Sequence, residues 1–126
     1  MYEEWKPIYT ALAADVMDQL GHRDQAMEHS IRPSPATTAF AGPAVTLDSY
    51  ENCETTDDPY GQIFAAYEKM QPGDVVVIAT NGELKAGLWG ELLSTAAQAQ
   101  GVNAVVTDGL VRDVRLMDEM GFACFS

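Results

Sequence analysis

The sequence is poor in several features that would narrow its function early. It has only two cysteines, Cys53 and Cys124, far apart and without a CxxC pair, so neither a disulfide framework nor a zinc cage is expected. Both read as reduced thiols. Basic residues are scarce, seven Lys and Arg against 19 Asp and Glu, and the formal charge of -12 repels phosphate backbones and excludes nucleic acid as an expected partner. No apolar run approaches the ~18 residues that a membrane span needs, and Met1 to Lys6 lacks the basic start and apolar stretch of a secretory leader. The expected location is therefore the cytoplasm, with no membrane partner. GxxxxGK and GxGxxG are missing as well, which argues against nucleotide binding, and without HxxxH or HExxH spacing His22 and His29 read as surface residues.

What is present is core-forming material. A chain of 126 residues, 47% hydrophobic, suits one domain over residues 1–126. Thr10 can cap a helix running through Leu20, with Ala11, Leu12, Val16, Met17 and Leu20 on one stripe and Gly21 closing it. Pro33, Pro35 and Gly42 then break the chain before a short strand at Ala44 to Leu47, and the acidic stretch Asp48 to Asp58 reads as exposed loop. Tyr60 to Met70 reads as a helix, Gln71 to Asp74 as a turn, and Val75 to Ala79 as a buried strand. After the turn Thr80-Asn81-Gly82 a loop is expected to Leu88, then a helix from Gly90 to Gln100 stopped by Gly101. Val102 to Thr107 reads as a strand, Val111 to Met120 as a helix, and Phe122 to Phe125 as the start of one more strand. Strands alternating with helices predict a layered α/β fold.

Three places carry chemistry. The strand ends after Ala79 and Thr107 each release the chain into a glycine-bearing turn, and ligands of open α/β sheets gather at such carboxyl ends. A helix opened by Gly90 presents unpaired N–H groups in its first turn, suited to a carboxylate; the plainer alternative is an ordinary capped helix with Glu91 complementing its dipole. Arg112 offers a planar fork for a carboxylate or keto oxygen, and Asp113 beside it a hard oxygen ligand for magnesium or manganese. The alternative there is a surface Asp at a helix start, with Arg112 bridged to Asp108. Lys85 could form a Schiff base, but an exposed lysine accounts for it as well.

The segments Ala41 to Thr46, Pro72 to Ile78, Leu88 to Leu93 and Val106 to Asp113, in this order, resemble the RraA-like family. That family includes 4-hydroxy-4-methyl-2-oxoglutarate aldolases with oxaloacetate decarboxylase activity, and proteins named as regulators of ribonuclease E activity. The resemblance runs from about Thr10 to the last residue. It implies a swivelling β/β/α domain, shortened at its C-terminus because family members continue well beyond the equivalent of Ser126, and assembly as trimers or hexamers. It also implies a class II, metal-dependent pyruvate aldolase acting on a small oxo acid.

Aldolases of the family carry an acid, twenty intervening residues and then Arg-Asp, which Glu91, the twenty residues Leu92 to Val111, and Arg112-Asp113 match. By that similarity Asp113 holds a divalent Mg2+ or Mn2+ ion, Glu91 orients a water on it, and Arg112 binds the pyruvyl oxygens. Backbone amides of Gly90, Glu91, Leu92 and Leu93 hold the carboxylate. One departure is local: family sequences often place an acid three residues after the Arg-Asp aspartate, where this chain has Leu116.

Overall fold

Val75 to Ala79 is apolar at every position, and such a strand is stable only when both of its faces are covered. The fold is organised around it. A computed structural model describes residues 3–37, 39–50, 57–82 and 84–126. In chain order the elements are α1 (Thr10–Gln19), β1 (Ala44–Asp48), α2 (Gly61–Tyr67), β2 (Val75–Ala79), β3 (Gly87–Trp89), α3 (Glu91–Ala99), β4 (Ala104–Thr107), β5 (Leu110–Val111), α4 (Val114–Glu119) and β6 (Ala123–Phe125).

β1, β2, β4 and β6 form one parallel sheet in that spatial order. Parallel neighbours cannot be joined by a tight turn, and each crossover carries one helix, α2, α3 or α4. The helices cover one face. There Val76, Ile78, Val105 and Cys124 of the strands pack with Ala66, Tyr67, Met70, Ala97, Met117 and Phe122, and Trp89 sits among them 1% exposed. On the other face Val75, Ala104 and Val106 pack against Ile31, Phe40, Ala123 and Phe125. A concavity of about 560 Å³ lies on that second face, bounded by Trp5, Met27, Phe40, Pro43, Val77 and Val106.

The loop-rich stretch before β1 is tied down by polar contacts. Arg32 and Ser126 exchange backbone hydrogen bonds of 2.9 Å each, Ser34 N–H donates to the Cys124 carbonyl at 2.8 Å, and Ser34 Oγ donates to Asp118 Oδ1 at 2.6 Å. Cys124 N–H in turn donates to Thr37 Oγ1 at 2.9 Å. These bonds satisfy the edge of β6 that no strand covers among the described residues.

Several expectations change. Tyr9, not Thr10, is the N-cap of α1, and no described residue of that helix is buried: Leu12, Val16 and Leu20 are 40%, 45% and 70% exposed. Its stripe is real, but it is only partly covered, with Ala13 and Met17 half-buried. The helix expected over Tyr60 to Met70 is only Gly61–Tyr67, and the strand expected from Val102 begins at Ala104. The loop expected before Leu88 contains β3, and the helix expected from Val111 starts three residues later because Leu110–Val111 is a strand. Cys53, Thr55, Thr56 and most of the acidic stretch after Tyr50 lie outside the described residues. No helix among those described is long and apolar enough to cross a membrane.

Candidate functional site

The two shortest strands create the site. β3 and β5 pair in parallel, Gly87 with Leu110 and Trp89 with Val111, and Arg112 N–H extends the ladder by donating to the Trp89 carbonyl at 2.9 Å. Gly90-Glu91 and Arg112-Asp113, about twenty residues apart in sequence, therefore leave a common ladder side by side.

Gly90 is where they meet. Its backbone is extended (φ -170°, ψ -165°), a conformation open to any residue, so conformational freedom does not explain the glycine. Space does. A Cβ on Gly90 would lie 2.8 Å from Arg112 Cγ and 2.8 Å from Asp113 Oδ2, and one on Gly87 would lie 3.3 Å from Arg112 Cβ. Only bare backbone lets the arginine and the aspartate lie this close to the head of α3.

Asp113 is held in the left-handed region (φ 57°, ψ 27°), which Asp tolerates better than most residues but still at a cost. Its carbonyl accepts the N–H groups of Leu116 and Met117 at 2.9 and 3.1 Å, while its side chain makes no capping bond to α4. The carboxylate instead contacts Arg112, Nε to Oδ2 at 3.4 Å, with the two side chains 67% and 39% exposed. Arg112 thus pairs with Asp113 and not with Asp108, whose Oδ1 accepts Thr80 N–H at 2.6 Å. A pair this exposed adds little to stability, so a structural role does not account for it.

Glu91 opens α3 directly after the N-cap Gly90, and its Oε1 accepts a hydrogen bond from Thr95 Oγ1 at 2.9 Å. Gly90, Arg112 and Asp113 are in mutual contact, whereas the Glu91 carboxylate is turned along its own helix. Leu92 and Leu93 complete the first turn, Leu92 67% exposed. No group of three His, Cys, Asp or Glu that could cage a metal occurs among the described residues. The Asp113 carboxylate is the hard oxygen donor at this site, and a largely hydrated divalent ion needs few protein ligands.

Beneath the site lie supports not anticipated from the sequence. The Trp89 indole N–H donates to Ser94 Oγ at 2.8 Å, Ser94 Oγ donates to the Gly90 carbonyl at 2.9 Å, and Tyr67 Oη donates to the Leu93 carbonyl at 2.7 Å. Burial raises the Tyr67 pKa, so this donor keeps its proton. A tryptophan one residue before a helix cap and a serine four residues after the cap is the pattern that could have shown it.

The carboxyl ends of the main sheet are also braced. Desolvation acts upward on the Asp108 carboxyl, but hydrogen bonds from Thr80, Gly82 and its own N–H outweigh it and lower the pKa. The Thr80 hydroxyl acts on that carboxylate from outside hydrogen-bond geometry, since its oxygen is buried without a partner. Asn81 Nδ2 donates to Asp48 Oδ1 at 3.0 Å. His22, His29 and Lys85 are exposed, as surface residues should be.

The site thus sets a cation and a carboxylate beside a helix N-terminus on an open surface. The Aldolase/RraA description matches residues 10–126. The chain belongs to this RraA-like family. A protein of Halalkalibacterium halodurans, provisionally named a 4-hydroxy-4-methyl-2-oxoglutarate aldolase, is 27% identical over 97% of this chain and 53% of its own length. One of the same provisional name from Cupriavidus taiwanensis is 31% identical over 90% of this chain and 65% of its own. The solved RraAS2 of Streptomyces coelicolor, described as an unusual member of the RNase ES inhibitor RraA family, superposes with a TM-score of 0.81 at 26% identity, over 96% of this chain and 59% of that one. The chain thus spans between about half and two thirds of the length of these relatives, and its α/β architecture is that of the family's domain.

Proposed function

We propose that this chain is a metal-dependent lyase that releases pyruvate from small 2-oxo acids, as a 4-hydroxy-4-methyl-2-oxoglutarate aldolase and an oxaloacetate decarboxylase. The observation that carries the reading is the contact of Arg112 and Asp113 with the bare backbone of Gly90 at the head of α3. The provisional aldolase names of two relatives support it.

The two reactions share one problem. Breaking the C3–C4 bond, one carbon beyond the carbon bearing the 2-oxo group, leaves an electron pair on C3 that passes onto the oxo oxygen, giving the enolate of pyruvate; the other product is carbon dioxide or, where a 4-hydroxyl gives up its proton, a second carbonyl compound. Protonation of the enolate carbon completes either reaction. Charge develops at one oxygen, and groups already aimed at that oxygen lower the barrier most. In this reading the Arg112 guanidinium meets the 2-oxo oxygen, and the N–H groups of Glu91, Leu92 and Leu93 hold the neighbouring carboxylate, where the helix dipole favours an anion. Asp113 would hold a magnesium or manganese ion, which as a Lewis acid would polarise the same oxygen. Glu91 would orient the water through which protons are taken up and returned.

The test is magnesium-dependent pyruvate release from oxaloacetate, corrected for the loss that the metal alone produces, in parent and Asp113→Asn proteins. Turnover that requires Asp113 supports the reading, and equal rates with and without protein would end it. A second reading, regulation of a ribonuclease by surface contact, draws on the description of the Streptomyces neighbour. The Arg112-Asp113 pair speaks against it, because a binding surface needs no metal ligand beside a helix N-terminus. We further infer a homo-oligomer, a trimer or hexamer, because Arg112 and Leu92 leave the site open on one side and a neighbouring copy would close it.

A further inference from the structure

Ser94 is 0% exposed and Trp89 1% exposed, so every polar atom that they bury must find a partner. They find each other. The indole N–H donates to Ser94 Oγ, and the single hydroxyl proton then goes to the Gly90 carbonyl, which also accepts Ser94 N–H at 3.0 Å. A serine bonding back to the carbonyl four residues earlier is common in helices and usually does nothing beyond that turn. Here the carbonyl belongs to the residue that Arg112 and Asp113 abut, and the hydroxyl accepts from a fully buried aromatic side chain. Trp89 is itself stacked on Phe122, ring centroids 6.1 Å apart, and carries the carbonyl that receives Arg112 N–H. Trp89 thus touches both halves of the site, the α3 turn through its buried side chain and Arg112 through its backbone carbonyl.

We propose that Ser94 is a positioning residue: through Trp89 and Gly90 it presets the first turn of α3, so that the amides of Glu91 to Leu93 face the substrate carboxylate before substrate arrives. This rests on the lyase reading above. Its effect is confined to carboxylate binding. Ser94→Ala should raise KM for oxaloacetate by about tenfold, change kcat by less than about twofold, and leave the magnesium concentration for half-maximal activity unchanged, since Asp113 is held by the other strand. Ser94→Thr, which keeps the hydroxyl, should restore most of the KM. KM within twofold of the parent in Ser94→Ala, or KM, kcat and magnesium requirement worsening together in step with lost stability, overturns the assignment.

A measurement on the parent protein decides the matter even if Ser94→Ala fails to fold. Hydrogen exchange of the Trp89 indole N–H and the Ser94 amide should be slow without ligand and unchanged by oxalate, a planar dicarboxylate that resembles the pyruvate enolate. Fast exchange that slows only when oxalate binds would show that the ligand orders the turn, and the proposal would fall. Absent decarboxylation by a parent protein whose turn is preset would count against the lyase reading alone.

Discussion

Replacing Gly90 with alanine separates stability from function more sharply than any other change at the site. The new Cβ would stand 2.8 Å from Arg112 Cγ and 2.8 Å from Asp113 Oδ2, about 0.6 Å short of ordinary contact. Both neighbours are side-chain atoms on an exposed surface, so they yield more readily than the backbone does. The extended backbone of Gly90 accepts alanine without strain, and alanine is a poorer N-cap than glycine by about 0.5–1 kcal/mol. A less flexible unfolded chain returns about 0.4–1 kcal/mol of that loss. Net stability should thus change by less than about 1 kcal/mol, a few degrees in Tm. Catalysis has no such latitude. Displacing the guanidinium and the carboxylate by a substantial fraction of an ångström should cost about 10- to 100-fold in kcat/KM, since a misplacement of ~1 Å costs about 100-fold. Thermal melts and pyruvate release, followed with lactate dehydrogenase and NADH, would be run on the same preparations. A variant that melts with the parent and turns over within twofold of it would show that the close approach at Gly90 serves packing only.

Asp113→Ala should abolish metal-dependent turnover, and Asp113→Asn should do the same with less strain at φ 57°, where asparagine is tolerated; turnover with an unaltered metal requirement in either would remove Asp113 as a ligand. Arg112→Lys keeps the charge but loses the planar fork, so kcat/KM should fall about tenfold or more, and equal values would make Arg112 structural. Burial pushes the Cys124 thiol from 9.0 up to about 11 and raises Tyr67 as well, so the unfolded chain gives up these protons first. Stability should therefore decline as pH rises from about 9 to 11, a loss that urea midpoints would register and that Cys124→Ala would lessen; a flat profile would contradict the burial. Light scattering over a dilution series should show an assembly larger than one chain, and a monomeric mass with full decarboxylase activity would refute the closing of the site by a neighbouring copy.

The parts of this fold that sequence conveys are those decided within a few residues. Val75 to Ala79 could only be a buried strand, and Gly101 and Gly121, both with positive φ, end α3 and α4 as their placement suggests. What escaped was decided by distant partners. Gly87–Trp89 and Leu110–Val111 have three and two residues, too few for any period to show, and they are strands only because they pair with each other. That pairing is also what brings Arg112 and Asp113 against Gly90, so candidate residues could be named from family resemblance while their geometry could not. Ser94 went unremarked because serine inside a helix carries no signal until its neighbours are known. The stripe on α1 misled in the opposite way: the periodicity was correct, but none of its described residues is buried.

The electrostatics explain why such rigidity would be placed at this turn. With a formal charge of -12, the protein's overall field opposes an approaching dicarboxylate, and long-range steering cannot supply its affinity. In the proposed site, binding would come from short-range groups, one guanidinium and a few backbone amides, whose strength depends on being aimed before the anion arrives. Each degree of freedom left in those groups would weaken an interaction that has no reserve of attraction behind it. Buried Trp89, Ser94 and Tyr67 remove that freedom from the side facing the core, where water cannot compete for their hydrogen bonds. In the proposed lyase, the same negative field that would repel the substrate would draw divalent cations toward Asp113, so an acidic surface and a weakly chelated metal would fit one another.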